Sequence, residues 1–148
     1  MLSRDFKEFI ELLNSKNVEY LIVGGYALAA HGHPRYTGDI DIWISNQPSN
    51  VQRVLAALSD FGFGALGLCA EDFRDIGNVI QLGYPPGRID LLTGIDGVEF
   101  NACYARRESV ELSGVCLPLI ALEDFKINKR ASGRLKDLAD LEALDPDA

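Results

Sequence analysis

The most restrictive feature of the chain is the hexapeptide D-I-D-I-W-I, which spans Asp39–Ile44. Its alternation of acidic and aliphatic residues has the two-residue period of a β-strand, whose successive side chains point to opposite faces of a sheet. Asp39 and Asp41 therefore share one face, roughly 6–7 Å apart at their Cα atoms. Ile40 and Ile42 face the opposite side, so the strand requires a hydrophobic core on one face only.

Two carboxylates held this close raise each other's pKa, because each disfavours the negative charge on the other. A divalent cation relieves the repulsion, and Mg²⁺ commonly binds one or two protein carboxylates together with substrate phosphates. The alternative is an ordinary strand with one solvated face. The hexapeptide alone favours this simpler interpretation. The prediction of a metal site depends on the other motifs in the chain.

A glycine pair lies upstream of these carboxylates. Gly24 and Gly25 separate an apolar run, Tyr20–Val23, from an alanine-rich segment with helical character, and thirteen residues separate Gly25 from Asp39. Glycine lets the backbone approach a ligand closely, and the first N–H groups of a helix can hold an anion. A glycine pair is also common in tight turns. The prediction of a phosphate site therefore depends on the glycine pair occurring together with the carboxylates.

A third carboxylate, Asp90, lies in the segment G-R-I-D-L-L between apolar residues. If its strand lies near Asp39, the three carboxylates form a site for two metal ions about 3.5–4 Å apart. Asp96 is the rival candidate, but it precedes Gly97 and is typical of a turn. Arg88 shares the strand face of Asp90, and we predict a structural ion pair for it.

Hydrophobic periodicity and turn residues predict an α/β (α+β) fold, a small mixed sheet flanked by helices in a single domain over residues 1–148. The predicted helices span residues 3–14, 26–31, 47–58, 119–131 and 135–144. The predicted strands span residues 20–23, 39–44, 78–82, 88–92 and 98–104, and a short strand pair covers residues 110–117.

Composition narrows the functional classes. The formal net charge is −8, which disfavours extensive nucleic-acid binding through the phosphate backbone. The three cysteines are scattered, and their spacing indicates neither a zinc site nor a disulfide framework. The start of the chain does not resemble a signal peptide, and no apolar run reaches the ~20 residues of a membrane helix. We therefore predict a cytoplasmic protein.

Together these motifs resemble the nucleotidyltransferase superfamily related to DNA polymerase β. The resemblance is carried by Gly24-Gly25, the spacing to Asp39-Ile40-Asp41-Ile42, and the later Ile89-Asp90-Leu91. It is closest to small prokaryotic members, namely the minimal nucleotidyltransferases and the group that includes abortive-infection and toxin–antitoxin components. The segment K-I-N-K-R-A-S-G-R-L-K-D-L-A-D-L-E-A-L, residues 126–144, also resembles these proteins.

The resemblance implies Mg²⁺ as cofactor, in a two-metal site formed by Asp39, Asp41 and Asp90, with Asp90 also helping to deprotonate and position the acceptor. It implies that Gly24 and Gly25 contact phosphates. Many members have serine in place of Gly25, so phosphate binding here would depend on backbone N–H groups. The other candidates for nucleotide binding are Tyr26, as a stacking ring, Arg35, as a triphosphate ligand or as a partner of Asp39, and Lys126 and Lys136. The two lysines belong to a basic cluster with Lys129, Arg130 and Arg134. The alternative for this cluster is a solvated helix face that pairs with Asp137 and Asp140.

The leading hypothesis is a metal-dependent enzyme that transfers a nucleoside monophosphate from a nucleoside triphosphate, ATP among the candidates, to an unidentified hydroxyl-type acceptor. The acceptor would bind at a homodimer interface or be supplied by a partner, such as a small helical protein. A weakly active or inactive regulatory module of a toxin–antitoxin type system is the first alternative. An ordinary α/β domain with solvated carboxylates is the second, and it predicts no coupled binding of metal and nucleotide.

Overall fold

The computed structural model describes residues 2–33, 38–84 and 87–144. Its strands are β1 (Tyr20–Val23), β2 (Asp39–Ile44), β3 (Val79–Leu82), β4 (Arg88–Leu92), β5 (Glu108–Leu112) and β6 (Val115–Leu119). Its helices are α1 (Arg4–Ser15), α2 (Gly24–Ala30), α3 (Pro48–Leu58), α4 (Phe100–Ala105), α5 (Leu122–Ser132) and α6 (Leu135–Leu144). No helix in these ranges is long and apolar enough to cross a membrane.

The strands form a six-stranded mixed sheet in the order β3-β4-β2-β1-β6-β5. Strand β2 is central, antiparallel to β1 and parallel to β4. This register sets Asp41 beside Val23 on one side and beside Asp90 on the other. The predicted fold class, a small mixed sheet flanked by helices, is confirmed.

One face of the sheet carries the larger part of the core. Ile40 and Ile42 are buried on this face, as the alternation in the hexapeptide predicts. Helix α1 covers it, since the Tyr20 hydroxyl donates a hydrogen bond to Oδ1 of Asn14 at 2.7 Å. The buried residues of α1 recur at helical spacing and form its inward stripe: Phe6, Phe9, Ile10 and Leu13.

The opposite face, which carries Asp39 and Asp41, is only partly covered. Trp43 shares this face by strand alternation and meets Phe100 of α4 edge to face, with ring centroids 5.2 Å apart. The prediction of a strand over residues 98–104 is therefore wrong. The Glu99 carboxylate accepts hydrogen bonds from the first free N–H groups of a helix, those of Asn101 and Ala102, and this cap selects a helix over an extended segment.

Helices α5 and α6 are held together by a buried charge cluster. Lys129 is 6% exposed, and its ammonium group lies 2.9 Å from Asp137 and 3.5 Å from Asp140. Ser132 and Arg134 also donate hydrogen bonds to Asp137. Burial alone would raise the pKa of Asp137, but the hydrogen bonds from Ser132, Lys129 and Arg134 outweigh it and lower this pKa to about 2. The cluster links the last turn of α5 to α6.

Replacing Asp137 with asparagine should lower the free energy of unfolding by about 3 kcal/mol at pH 7, because it leaves Lys129 buried beside one carboxylate instead of two. The loss should shrink as pH falls from about 4 through the folded pKa of about 2, since a depressed carboxyl pKa stabilises the fold only while the group is ionised. Urea unfolding at several pH values measures both effects.

The matched control is Glu142→Gln, which removes the same charge from an exposed position of α6. Its free energy of unfolding should change by less than about 0.5 kcal/mol. Equal losses in the two variants would show that the cluster does not hold the helices together.

Candidate active site

The three predicted carboxylates meet in one cleft. Asp41 on β2 lies directly opposite Asp90 on the neighbouring parallel strand β4, and Asp39 lies one pair further along the same face. All three line a cleft of about 570 Å³, together with Gly24 at the start of α2. Its other wall comes from α5, α6 and the turn between them: Asn128, Lys129, Ser132, Arg134 and Lys136.

Gly24 is required by its contact with Asp41. Its φ angle of +68° lies in the left-handed region, where side chains are disfavoured. A Cβ atom at this position would lie 2.1 Å from Oδ2 of Asp41, well inside van der Waals contact. Gly25 is not among the residues that line the cleft. Gly24 thus lets the carboxylate approach the backbone, and a role of the glycine pair in phosphate binding stays a prediction.

The environment of Asp41 disfavours its negative charge. Burial is the largest cause, followed by the charge of Asp90, a hydrogen bond between the two carboxyl groups and the charge of Asp39. The ammonium group of Lys129 opposes these effects. Together they raise the pKa of Asp41 from its ordinary 3.8 to about 6. Asp41 is therefore protonated more readily than an ordinary carboxyl group at mildly acidic pH.

Arg88 forms ion pairs with two of the carboxylates, as predicted. Its Nε lies 2.7 Å from Oδ1 of Asp90, and its Nη2 lies 3.1 Å from Oδ2 of the same residue. The same Nη2 lies 2.8 Å from Oδ2 of Asp39. These contacts raise the pKa of Arg88, most strongly through the hydrogen bond to Asp90. The guanidinium group thus bridges the carboxylates of β2 and β4.

The cleft has an acidic side and a basic side. Asp39, Asp41 and Asp90 lie on the sheet, whereas Lys129, Arg134 and Lys136 lie on the helical wall. Within that wall the exposures differ: Lys129 is buried against Asp137 and Asp140, while Arg134 and Lys136 are exposed. An anion that enters the cleft therefore meets the two exposed cations first.

The remaining candidates for nucleotide binding differ in their position relative to the cleft. Lys136 lines the cleft, whereas Lys126 does not and instead pairs with Glu123 at 3.6 Å. The Tyr26 ring packs edge to face on Phe6, with centroids 5.9 Å apart, and lies outside the cleft lining. Arg35 lies outside the described residues. The nucleotide-binding roles of all four stay predictions, and among the three that the structure describes, Lys136 alone lies in the cleft lining.

Asp96 forms a turn, as its glycine neighbour predicts. It precedes Gly97, which has a φ angle of +82°, and its backbone carbonyl accepts a hydrogen bond from Nδ2 of Asn128 at 3.0 Å. A Cβ atom on Gly97 would lie 2.5 Å from Cβ of Ala131, so this turn packs tightly on α5. Asp96 also lines the cleft, in addition to its role in the turn.

The sequence interpretation gave too little weight to Lys129, Ser132 and Arg134. All three lie in the basic segment, but charge alone does not separate a cleft lysine from a solvated one. Helical spacing does not separate them either, because Lys126 and Lys129 are three residues apart and are neighbours on the helix surface. The structure places Lys129 in the cleft lining and Lys126 outside it.

The cleft residues carry the oxygen ligands that a hard divalent cation prefers. Asp41 and Asp90 offer carboxylate oxygens on adjacent strands, and these are the ligands that Mg²⁺ prefers. The raised pKa of Asp41 and the bridging guanidinium of Arg88 both reflect carboxylates crowded in a partly buried site, where a divalent cation would neutralise their negative charge. Within the described residues, however, no three acidic, histidine or cysteine side chains stand as a preformed metal cage.

Residues 2–145 match a family model described as nucleotidyltransferase of unknown function (DUF6036). A comparison with curated protein sequences finds no match. The sequence resemblance to the nucleotidyltransferase superfamily is therefore confirmed by an independent family model over nearly the whole chain.

Solved structures show the same fold. A candidate nucleotidyltransferase from Thermotoga maritima superposes with a TM-score of 0.61 at 18% identity, covering 97% of this chain and 89% of that one. A lincosamide antibiotic adenylyltransferase bound to lincomycin gives a TM-score of 0.58 at 14% identity, with coverages of 98% and 97%. The antibiotic-resistance factor ANT(2'')-Ia gives 0.58 at 12% identity, with coverages of 96% and 81%.

The raised pKa of Asp41 predicts a specific dependence of stability on pH. Between about pH 4 and pH 6 the folded protein holds a proton that the unfolded chain releases, so stability falls as pH rises through this window. Asp41→Asn removes this effect. In EDTA at pH 7 the variant should be more stable than the wild type by roughly 2 kcal/mol, and the difference should vanish near pH 4.

Thermal unfolding in EDTA between pH 4 and pH 8 measures this difference. Asp75→Asn is the control, since Asp75 is exposed and lies outside the cleft lining. A loss of stability in Asp41→Asn at pH 7 would identify Asp41 as a structural residue and contradict the electrostatic account of the site.

Proposed function

Because the chain belongs to this family of nucleotidyltransferases, we propose that it is a metal-dependent enzyme that transfers a nucleoside monophosphate from a nucleoside triphosphate to a hydroxyl group. The observation that carries the proposal is the direct pairing of Asp41 with Asp90 across β2 and β4, with Asp39 on the same face. Three carboxylates gathered on one open sheet face destabilise the fold and have a chemical use once cations and phosphates are present.

The proposed reaction assigns separate tasks to the carboxylates. Mg²⁺ held by Asp39 and Asp41, with Asp90 as a further ligand, would neutralise phosphate charge and favour ionisation of the acceptor hydroxyl. Asp90 positions the acceptor hydroxyl and accepts its proton. A bond forms between the acceptor oxygen and the α-phosphorus, and the bond from that phosphorus to the bridging oxygen breaks. Pyrophosphate leaves with the electron pair.

The basic wall is suited to the β- and γ-phosphates. Arg134 and Lys136 are exposed at the cleft. Lys136 can turn towards an incoming anion at little cost, whereas Arg134 already donates a hydrogen bond to Asp137 and would offer the anion its remaining N–H donors. Lys129 is buried and bound to Asp137 and Asp140. We assign it to positioning the wall and to moderating the charge on Asp41. Helix α2 has only seven residues. We therefore assign triphosphate binding mainly to the side-chain cations rather than to the N–H groups at the start of this helix.

The acceptor is best placed over β3. Gln81 pairs with Asp90 and Val79 pairs with Leu92, so these side chains share the cleft face on the side away from Gly24. Val79 is 51% exposed, which leaves an apolar surface beside the proposed base. A hydroxyl-bearing molecule with an apolar portion fits this surface. Among the similar structures, a lincomycin-bound lincosamide adenylyltransferase has this fold, which supports including small hydroxylated molecules in an acceptor screen.

Incubation with each α-³²P-labelled nucleoside triphosphate, a cell extract as acceptor pool and Mg²⁺ should transfer labelled monophosphate and release pyrophosphate. EDTA should abolish transfer, because the triphosphate would otherwise meet three carboxylates without a neutralising cation. Asp90→Asn should lower the rate by about 10²-fold or more, since it removes the proton acceptor. Asp75→Asn should leave the rate unchanged.

The outcomes separate the alternatives. Nucleotide binding that depends on Mg²⁺ without transfer would favour a regulatory module, including one of a toxin–antitoxin type system. Absence of Mg²⁺-dependent nucleotide binding would contradict both hypotheses and leave an ordinary α/β domain with solvated carboxylates.

A further inference from the structure

Arg88 contacts two of the three carboxylates that are proposed to bind a cation. Its guanidinium group makes two contacts to Asp90, at 2.7 and 3.1 Å, and one to Asp39, at 2.8 Å. The strand register requires this arrangement, since Arg88 lies directly opposite Asp39 and two residues before Asp90 on one face. The bridge joins the two strands that also carry the Asp41–Asp90 pair.

Arg88 forms hydrogen bonds with oxygen atoms of Asp39 and Asp90 that a metal ion would also use as ligands. Arg88 donates to both oxygens of Asp90 and to Oδ2 of Asp39. A guanidinium group has only donors and remains protonated at every relevant pH. A divalent cation placed on the same oxygens would lie within a few ångströms of a positive charge, and the two would repel strongly in a partly buried site. Arg88 and the cation therefore compete for Asp39 and Asp90.

The partial burial of these three side chains strengthens the competition between Arg88 and a divalent cation. The Arg88 side chain is 23% exposed, and those of Asp39 and Asp90 are 31% and 9% exposed. Solvent screens such a site less than it screens a surface pair, so the bridge persists in the absence of another cation. The lack of a preformed metal cage within the described residues agrees with carboxylates oriented towards the guanidinium.

We propose that Arg88 is a built-in counter-ion that keeps the carboxylate site closed to divalent cations until nucleotide and metal arrive together. The inference rests on the proposed function. When the cation binds Asp39 and Asp90, Arg88 is released from both. The triphosphate offers the displaced guanidinium a new anionic partner in the same cleft. Metal alone then binds weakly, and metal with nucleotide binds cooperatively.

The test is Mn²⁺ binding without nucleotide, measured by the electron paramagnetic resonance signal of the free ion. Arg88→Gln removes the competing charge, so its dissociation constant for Mn²⁺ should be about ten- to a hundredfold lower than that of the wild type, the range of one charged hydrogen-bonded interaction. A non-hydrolysable nucleoside triphosphate should enhance Mn²⁺ binding in the wild type and much less in Arg88→Gln.

The matched control is Arg106→Gln. Arg106 makes a comparable two-pronged contact with Asp124, at 3.0 and 2.9 Å, outside the cleft lining, so its loss should leave Mn²⁺ affinity unchanged. If Arg88→Gln does not fold, Arg88→Met removes the charge with an unbranched side chain of similar length, and its dissociation constant for Mn²⁺ should fall by a similar factor.

Unchanged or weaker Mn²⁺ binding in the Arg88 variants would overturn the proposal, because it would show that Arg88 supports the ligands rather than competing for them. The measurement involves no turnover, so the two proposals fail separately. A wild-type protein that transfers no nucleotide contradicts the proposed function, whereas unchanged Mn²⁺ affinity in a protein that transfers contradicts the role of Arg88.

Discussion

Repulsion among three carboxylates on one sheet face is the constraint on which the rest of the structure depends. The parallel pairing of β2 with β4 brings Asp41 and Asp90 side by side, and this arrangement disfavours the folded state as each group ionises. The fold compensates in two ways. Arg88 bridges Asp39 and Asp90 within the sheet, and the positive charge of Lys129 on α5 acts on Asp41 from the opposite wall.

These compensations extend into the architecture around the site. Lys129 can lie near Asp41 only because Asp137 and Asp140 stabilise it in a buried position, and that cluster also holds α5 against α6. The lack of a side chain at Gly24 leaves space for the Asp41 carboxylate, which a Cβ atom there would overlap. The hydrophobic core on the other face, formed around Ile40 and Ile42, supplies the stability that such a site reduces.

The sequence allowed the strands of the site to be predicted but not the pairing between them. Strict alternation in Asp39–Ile44 fixes which side chains share a face, because the period of a strand is two. Nothing local shows that Asp41 lies opposite Asp90, since register is set by the whole ladder and by core packing. Helix α4 was mistaken for a strand because its aromatic residues favour both states, and the Glu99 cap and the Trp43–Phe100 contact decide between them. Lys129 was passed over in favour of Lys126 because the orientation of α5 depends on what it packs against.

The most direct test of the central claim is anomalous X-ray diffraction from crystals grown with Mn²⁺ and a non-hydrolysable nucleoside triphosphate. The account predicts anomalous density for Mn²⁺ among Asp39, Asp41 and Asp90, with the triphosphate extending towards Lys136. Mn²⁺ bound elsewhere, or a triphosphate outside this cleft while the three carboxylates stay without metal, would contradict the assignment of the cleft as the catalytic centre.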